Sequence, residues 1–125
     1  MSIRQQAPTI AKTASFTVDM NATKSGTRFT NRGASGAITV TLPTPQTGVQ
    51  SWDGWWCELF GVADQNIILA AASTKAAAFN NAACTSIAAQ TGGQKIGACL
   101  RARWDAAGGR WHLDCGTNGV TVTVA

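Results

Sequence analysis

The chain has few of the side chains that carry out chemistry. Its 125 residues include no tyrosine, one histidine and six carboxylates, and only 13% of them are charged, about half the usual share of ~25%. Nucleophilic catalysis needs a nucleophile, a base and an orienting group, and glycoside hydrolysis needs two facing carboxylates. This scarcity predicts that the protein is not an enzyme, and we expect no catalytic residue.

Signals for cofactors and membranes are also missing. No GxGxxG follows a strand pattern and no GxxxxGK[ST] occurs, so we expect no nucleotide cofactor. Carboxylates are too dispersed for a calcium loop. No apolar run reaches the roughly 18 residues of a membrane span, and the N-terminus lacks the apolar core of a signal peptide. We therefore expect a protein made and folded in a cytoplasm, without a membrane partner.

The four cysteines are Cys57, Cys84, Cys99 and Cys115. They form no CxxC pair and have one histidine to join them, so the spacing does not favour a metal site. A disulfide framework is not expected in a cytoplasmic product, although the sequence leaves open whether Cys57 and Cys115 approach each other. Buried free thiols are the preferred interpretation.

What the sequence does contain is alternation of apolar and polar residues. Ile38, Val40 and Leu42 are separated by threonines, and the same pattern covers residues 94–105 and 120–124. Successive side chains of a strand point to opposite faces, so each segment builds one apolar and one polar face. The pattern predicts an all-β fold, an antiparallel jelly-roll or β-sandwich of about eight strands, joined mostly as hairpins.

The chain is predicted to form one domain with an arm. Residues 1–13 contain Pro8 and read as an extended N-terminal arm, which we expect to lie across a neighbouring subunit. Residues 14–125 form the single sandwich domain. Residues 72–91 are rich in alanine, which favours helix, but their apolar spacing is irregular and helix caps are missing. We therefore predict short strands and loops there.

For two ionisable residues, a structural role is favoured over a catalytic one. His112 alternates with Trp111 and Leu113, so we expect it on the outer face of a strand rather than as a catalytic base. Glu58 lies inside an apolar strand, where an ion pair with Arg101 or Arg103 is favoured over catalysis.

Basic residues give the chain a formal charge of +4. They are dispersed, whereas nucleic-acid binders usually concentrate them on one face, so no nucleic-acid partner is expected. Lys95, Arg101 and Arg103 alone share one predicted strand face. They form either a solvated surface or a docking surface for an acidic protein patch.

Tryptophans are concentrated at one place, Trp52, Trp55 and Trp56. Exposed tryptophans can stack on sugars or bases, and buried ones serve as packing or interface anchors. Packing or an interface is the favoured interpretation. Trp52 and Trp55 are therefore candidate interface residues together with Lys95, Arg101, Arg103 and Pro8.

The order of several segments resembles a known type of protein. They are GTRFTNRGASGAITVTLPTPQTG (residues 26–48), ELFGVADQNIILAAA (58–72) and GQKIGACLRARWDAAGGRWHLDCGT (93–117). Together they resemble the capsid decoration, or cement, proteins of tailed bacteriophages and the related β-domains of head and tail fibres. The resemblance covers about residues 14–124.

The resemblance implies a structural virion protein on the outside of the capsid, assembled in the host cytoplasm. The major capsid protein would be its partner, with self-association as a trimer or dimer, and its task would be to stabilise the shell. No cofactor or catalytic residue is implied. The alternative is a receptor- or glycan-binding β-domain of a phage tail or head fibre, which would use the tryptophans.

Overall fold

The chain folds into two packed β-sheets. The structure, a computed structural model, describes residues 6–45, 50–72, 75–79, 81–117 and 121–125. Its strands are β1 (Thr9–Ala11), β2 (Phe16–Thr17), β3 (Thr27–Thr30), β4 (Ile38–Leu42), β5 (Trp56–Phe60), β6 (Ile67–Ala71), β7 (Ala76–Ala78), β8 (Asn81–Cys84), β9 (Ser86–Ala89), β10 (Cys99–Asp105), β11 (Arg110–Cys115) and β12 (Thr123–Val124). A 3₁₀ turn spans Gln50–Trp52. These ranges contain no α-helix, and the all-β prediction is confirmed.

The two sheets differ in size. Seven strands form the large sheet in the order β1-β3-β5-β10-β11-β7-β8, and five form the small sheet in the order β12-β9-β6-β4-β2. The structure thus has more and shorter strands than the eight that the sequence predicts. Several of the additional strands are too short to show an alternating pattern of their own.

The prediction of purely antiparallel sheets is wrong, because both sheets are mixed. β3 runs parallel to β1 and β5, and β4 runs parallel to β2 and β6. From β1 to β6 the chain alternates between the sheets, so it returns to each sheet only after crossing through the other. A strand that is reached by such a crossover can lie parallel to its neighbour. Alternation in sequence predicts the two faces of a strand but not its direction.

Consecutive strands form hairpins only in part of the chain. β10 and β11 pair antiparallel around the glycine-containing turn at 106–109, as predicted. β5 and β6, by contrast, belong to different sheets, although their sequences read as two adjacent apolar strands. The described residues of the segment 72–91 form β7, β8 and β9, which confirms strands over helix there.

The predicted N-terminal arm contributes an edge strand. Thr9–Ala11 pair with β3, and the carbonyl of Pro8 accepts a hydrogen bond from the Arg28 amide at 3.0 Å. This part of the arm is therefore joined to the large sheet of its own chain. Residues 1–5 lie outside the described residues.

The core lies between the inner faces of the sheets. Ile38, Val40 and Leu42 of the small sheet and Trp104 and Trp111 of the large sheet are all buried in this core, and the ring centroids of the two tryptophans are 5.2 Å apart. The Trp111 indole donates a 2.8 Å hydrogen bond to the Pro43 carbonyl and so connects the large sheet to the end of β4. The predicted strand pattern over residues 94–105 is wrong at its start, where Ile96 is 66% exposed because a turn at residues 96 and 97 precedes β10.

Asn31 fixes the end of β3. Its side chain is completely buried and accepts hydrogen bonds from the amides of Val62 and Ala63 at 2.7 and 2.8 Å. Its amide group also donates to the Ala63 carbonyl at 3.1 Å. Buried backbone groups need such partners. The Asn31 side chain supplies them where the chain leaves β5 for β6 and has no neighbouring strand to bond to.

Candidate binding face on the large sheet

Polar and charged side chains of the large sheet are collected on its outer face. Cys57 and Leu59 of β5 are fully buried, so Trp56, Glu58 and Phe60 point outward. β10 and β11 follow the same alternation, because Ala102 and Leu113 are buried while their sequence neighbours are exposed. Strand pairing then brings outward residues of four strands into common rows.

One of these rows is a charge ladder, formed by Arg28, Glu58, Arg101 and Asp114 in adjacent strands. The Arg28 guanidinium donates to Glu58, whose side chain is only 12% exposed. Arg101 Nε donates to Asp114 at 3.0 Å, and this hydrogen bond raises the pKa of Arg101. The predicted pairing of Glu58 with Arg101 or Arg103 is therefore wrong. Arg101 lies opposite Glu58 but bonds to Asp114. The observed partner of Glu58 is Arg28 on β3, a strand that the expected hairpin order did not place beside β5.

A thiol lies beside the buried end of this ladder. Cys99 Sγ donates to Glu58 Oε2 at 3.3 Å, and Cζ of Arg28 lies 4.5 Å from the centre of the Phe60 ring. Burial, reinforced by the negative charge of Glu58, raises the pKa of Cys99 to about 12. A thiol that stays protonated at neutral pH is a poor nucleophile. The cluster Arg28, Glu58 and Cys99 therefore serves packing rather than thiol chemistry.

The neighbouring row contains Trp56, Arg103 and His112, which lie opposite one another on β5, β10 and β11. They line a depression of 480 Å³ together with Arg101, Ala102 and Asp114. His112 is exposed, as predicted, and its Nε2 lies 3.1 Å from Asp105 Oδ2. The row therefore brings an aromatic ring, a guanidinium and an imidazole together in this depression.

The three clustered tryptophans have different environments. Trp55 is buried and packs edge-to-face on Trp111, with ring centroids 5.9 Å apart. Trp52 is half-buried against the core and borders a separate groove of 390 Å³ with Pro43 and Pro45. Trp56 is the exposed one, with 36% of its surface accessible. The favoured interpretation as packing thus describes Trp55 and Trp52, whereas Trp56 lies open to solvent.

The predicted basic trio is not brought together on one strand. Arg101 and Arg103 are exposed on the outer face of β10, but Lys95 lies in the preceding loop, beyond the turn at Ile96 and Gly97. Pro8 lies at the start of β1, at the edge of the same sheet. Since Arg101 is paired with Asp114, Arg103 is the cation of the trio that remains open on this face.

The outer face of the small sheet was missed by the sequence reasoning. The strands of this sheet contain no charged residue, and their outward positions carry Thr17, Thr39, Thr41, Ile68, Ala70, Ser86, Ala88 and Thr123. The alternation of threonine with apolar residues in β4 was a signal for this face. The sequence did not reveal that five such strands form one continuous surface.

Neither a disulfide nor a metal-binding cluster occurs among the described residues. All four cysteines are free thiols, and no group of three or more His, Cys, Asp or Glu side chains is placed to hold a metal ion there. In the same residues, no helix has the length and apolarity needed to cross a membrane. No family model, curated protein or solved structure matches the chain.

Proposed function

We propose that the protein is a structural component of a tailed-bacteriophage virion that binds the outside of the capsid and stabilises it. The observation that carries this proposal is the uncharged outer face of the small sheet. Threonine, serine, alanine and isoleucine side chains lose little hydration when a protein surface covers them, whereas unpaired charges lose much. Such a face is suited to permanent burial against a neighbouring subunit.

The contact with the shell is proposed to be uncharged. Docking through Lys95, Arg101 and Arg103 is less favoured, because Lys95 lies off β10 and Arg101 is paired with Asp114. The major capsid protein is the proposed partner on the outer face of the small sheet. Self-association as a dimer or trimer is a further part of the proposal, and the protein's place would be the virion surface.

Capsid shells that lack the protein provide the test. Thr41→Lys places a charge within the proposed contact, where it would be buried without a partner. We expect affinity for the shells to fall by at least about tenfold, because an unpaired buried charge opposes association by several kcal/mol. Binding by the parent protein should depend only weakly on salt. The measurement is the copy number on purified particles and its dependence on protein concentration.

Thr9→Lys is the matched control. It makes the same substitution on the large sheet, where Thr9 lies beside Arg28 on the outer face. We expect this variant to occupy shells like the parent. Equal occupancy by the Thr41→Lys variant, or no binding of the parent protein to any shell, would contradict the proposal.

A second candidate function is glycan binding by a phage fibre domain. It is favoured by one observation, the exposed Trp56 in the depression on the large sheet. Aromatic rings present a flat apolar surface beside polar groups, and carbohydrates bind to such surfaces through their C–H faces. This candidate uses the face of the protein opposite to the proposed shell contact, so the two functions do not exclude each other.

A further inference from the structure

We propose that the depression on the large sheet binds a carboxylated sugar, with the ring of Trp56 against the sugar and the guanidinium of Arg103 paired with its carboxylate. The inference rests on the second candidate function, glycan binding, and deepens it by naming the ligand class. It does not depend on shell binding. The volume of 480 Å³ lies within the range of small-molecule sites, about 300–1,000 Å³.

The charges around the depression leave one cation without a partner. Arg101 bonds to Asp114 at 3.0 Å, and His112 Nε2 lies 3.1 Å from Asp105 Oδ2. The Arg103 guanidinium has no hydrogen bond or ion pair within the part of the chain that the structure describes. Guanidinium groups pair with carboxylates through two parallel hydrogen bonds. The depression therefore offers one unpaired positive charge, which a single anionic group of a ligand can pair with.

Two glycines lie against the two principal side chains of the depression. A Cβ on Gly26 would lie 3.4 Å from Cζ2 of the Trp56 ring, and a Cβ on Gly54 would lie 3.1 Å from an Nη of Arg103. Both glycines have positive φ, +90° and +81°, which other residues rarely adopt. The indole and the guanidinium therefore lie against glycine backbone, and a side chain at either glycine would crowd them.

The surroundings favour a sugar over a macromolecule with many charges. Nucleic acids are bound by several cations that neutralise successive phosphates, whereas this depression has one guanidinium unpaired among the described residues and is also lined by the carboxylate of Asp114. A sugar needs one aromatic face and polar groups for its hydroxyls. Trp56 offers the face, and the side chains of His112 and Asp114 offer the polar rim.

The test uses sodium D-glucuronate as probe and follows the indole N–H signals by NMR, with the Trp56 signal assigned through Trp56→Phe. We expect saturable shifts of the Trp56 signal. D-glucose, which has the ring without the carboxylate, should bind at least about tenfold more weakly, as should acetate, which has the carboxylate without the ring. Titration calorimetry, which does not need the Trp56 signal, measures the variants. Arg103→Gln should reduce glucuronate affinity to that of glucose, and Trp56→Ala should abolish binding of both sugars.

Arg32→Gln is the matched control, because it removes an exposed guanidinium outside the depression, and it should leave glucuronate binding unchanged. Melting curves of each variant verify the fold. Absence of a saturable shift with glucuronate would overturn the proposal. Equal binding of glucose and glucuronate, unaffected by Arg103→Gln, would overturn the ligand class but leave glycan binding standing. Loss of shell occupancy in Trp56→Ala and Arg103→Gln, without sugar binding, would identify a protein-docking site and overturn the sugar proposal.

Discussion

The two sheets have the same chemistry on their inner faces and opposite chemistry on their outer faces. Inside, each contributes fully buried apolar side chains, such as Leu59 from the large sheet and Leu69 from the small one. Outside, the large sheet carries the charge ladder and the row of Trp56, Arg103 and His112. The small sheet carries threonine, alanine, serine and isoleucine, with no ionisable side chain in any of its strands.

This difference separates two ways of using a sheet surface. On the large sheet most charges are balanced within the chain, since Arg28 pairs with Glu58 and Arg101 with Asp114. A paired surface is stable in water and leaves only selected groups free for a small ligand. The strands of the small sheet carry no such ion pairs, so covering their outer face with another protein removes little hydration. The comparison is the basis on which we propose ligand recognition for one face and assembly for the other.

The largest effect on stability is expected when the charge ladder is broken at its buried end. Glu58→Ala leaves Arg28 without its carboxylate and the Cys99 thiol without its acceptor. Hydrogen bonds to charged groups contribute about 1.5–3 kcal/mol, and Arg28 is partly exposed, so we expect a loss of about 2 kcal/mol. Thr41→Ala, an outward substitution on the small sheet, should lose about 0.5 kcal/mol or less.

Urea unfolding of both variants measures this contrast. Glu58→Gln should fall between the parent and Glu58→Ala, because the amide retains hydrogen bonding without the charge. A double-mutant cycle with Arg28→Ala isolates the pair itself. If Glu58→Ala and Thr41→Ala lost the same free energy of unfolding, the outer face of the large sheet would contribute no more to stability than that of the small sheet.

The faces of the strands could be predicted from the sequence, but their partners could not. Alternation placed Ile38, Val40 and Leu42 on one face of β4 and the threonines between them on the other, and the structure confirms this division. The same alternation occurs in parallel and antiparallel strands. Neither the parallel pairing of β3 with β5 nor the pairing of Arg28 with Glu58 follows from it.

The candidate site was predictable to a similar extent. The sequence identified Arg103 and the tryptophan cluster, but it could not show which tryptophan stays exposed, because that depends on the turn before β5. It also joined Lys95 to the strand of Arg101, since residues 94–98 continue the alternation in sequence. Gly97, with φ at +88°, ends that continuity. A glycine at positive φ marks a turn where the sequence pattern reads as a longer strand.

A smaller effect should reveal how the two sheets are joined. Trp104 and Trp111 are neighbours on the inner face of the large sheet, and the Trp111 indole N–H donates to the Pro43 carbonyl at the end of β4. The Trp104 indole N–H has no partner within the described residues. Trp111→Phe should therefore destabilise the fold by about 1 kcal/mol more than Trp104→Phe, the value of one buried hydrogen bond.

Thermal and urea unfolding of the two phenylalanine variants test this difference. Each substitution removes a similar ring volume from the same buried layer, so each variant is the other's control. An equal loss in both would mean that the Pro43 contact contributes nothing to the joining of the sheets.

The smallest effect at neutral pH is expected from thiol ionisation, and it belongs to the large sheet alone. Burial, reinforced by Glu58, raises the pKa of Cys57 and of Cys99 to about 12, from an ordinary value of 9.0. Both thiols are therefore neutral in the folded protein at pH values where the unfolded chain already releases their protons. Their contribution to stability is complete below about pH 9 and is lost as the pH rises toward about 12.

We expect the free energy of unfolding to decrease over this window less steeply in Cys57→Ala and Cys99→Ala than in the parent. Thr41→Ala, on the small sheet, should retain the full slope, because no ionisable group is changed. Equal slopes in the cysteine variants and the parent would show that the alkaline sensitivity does not arise from the thiols of the large sheet.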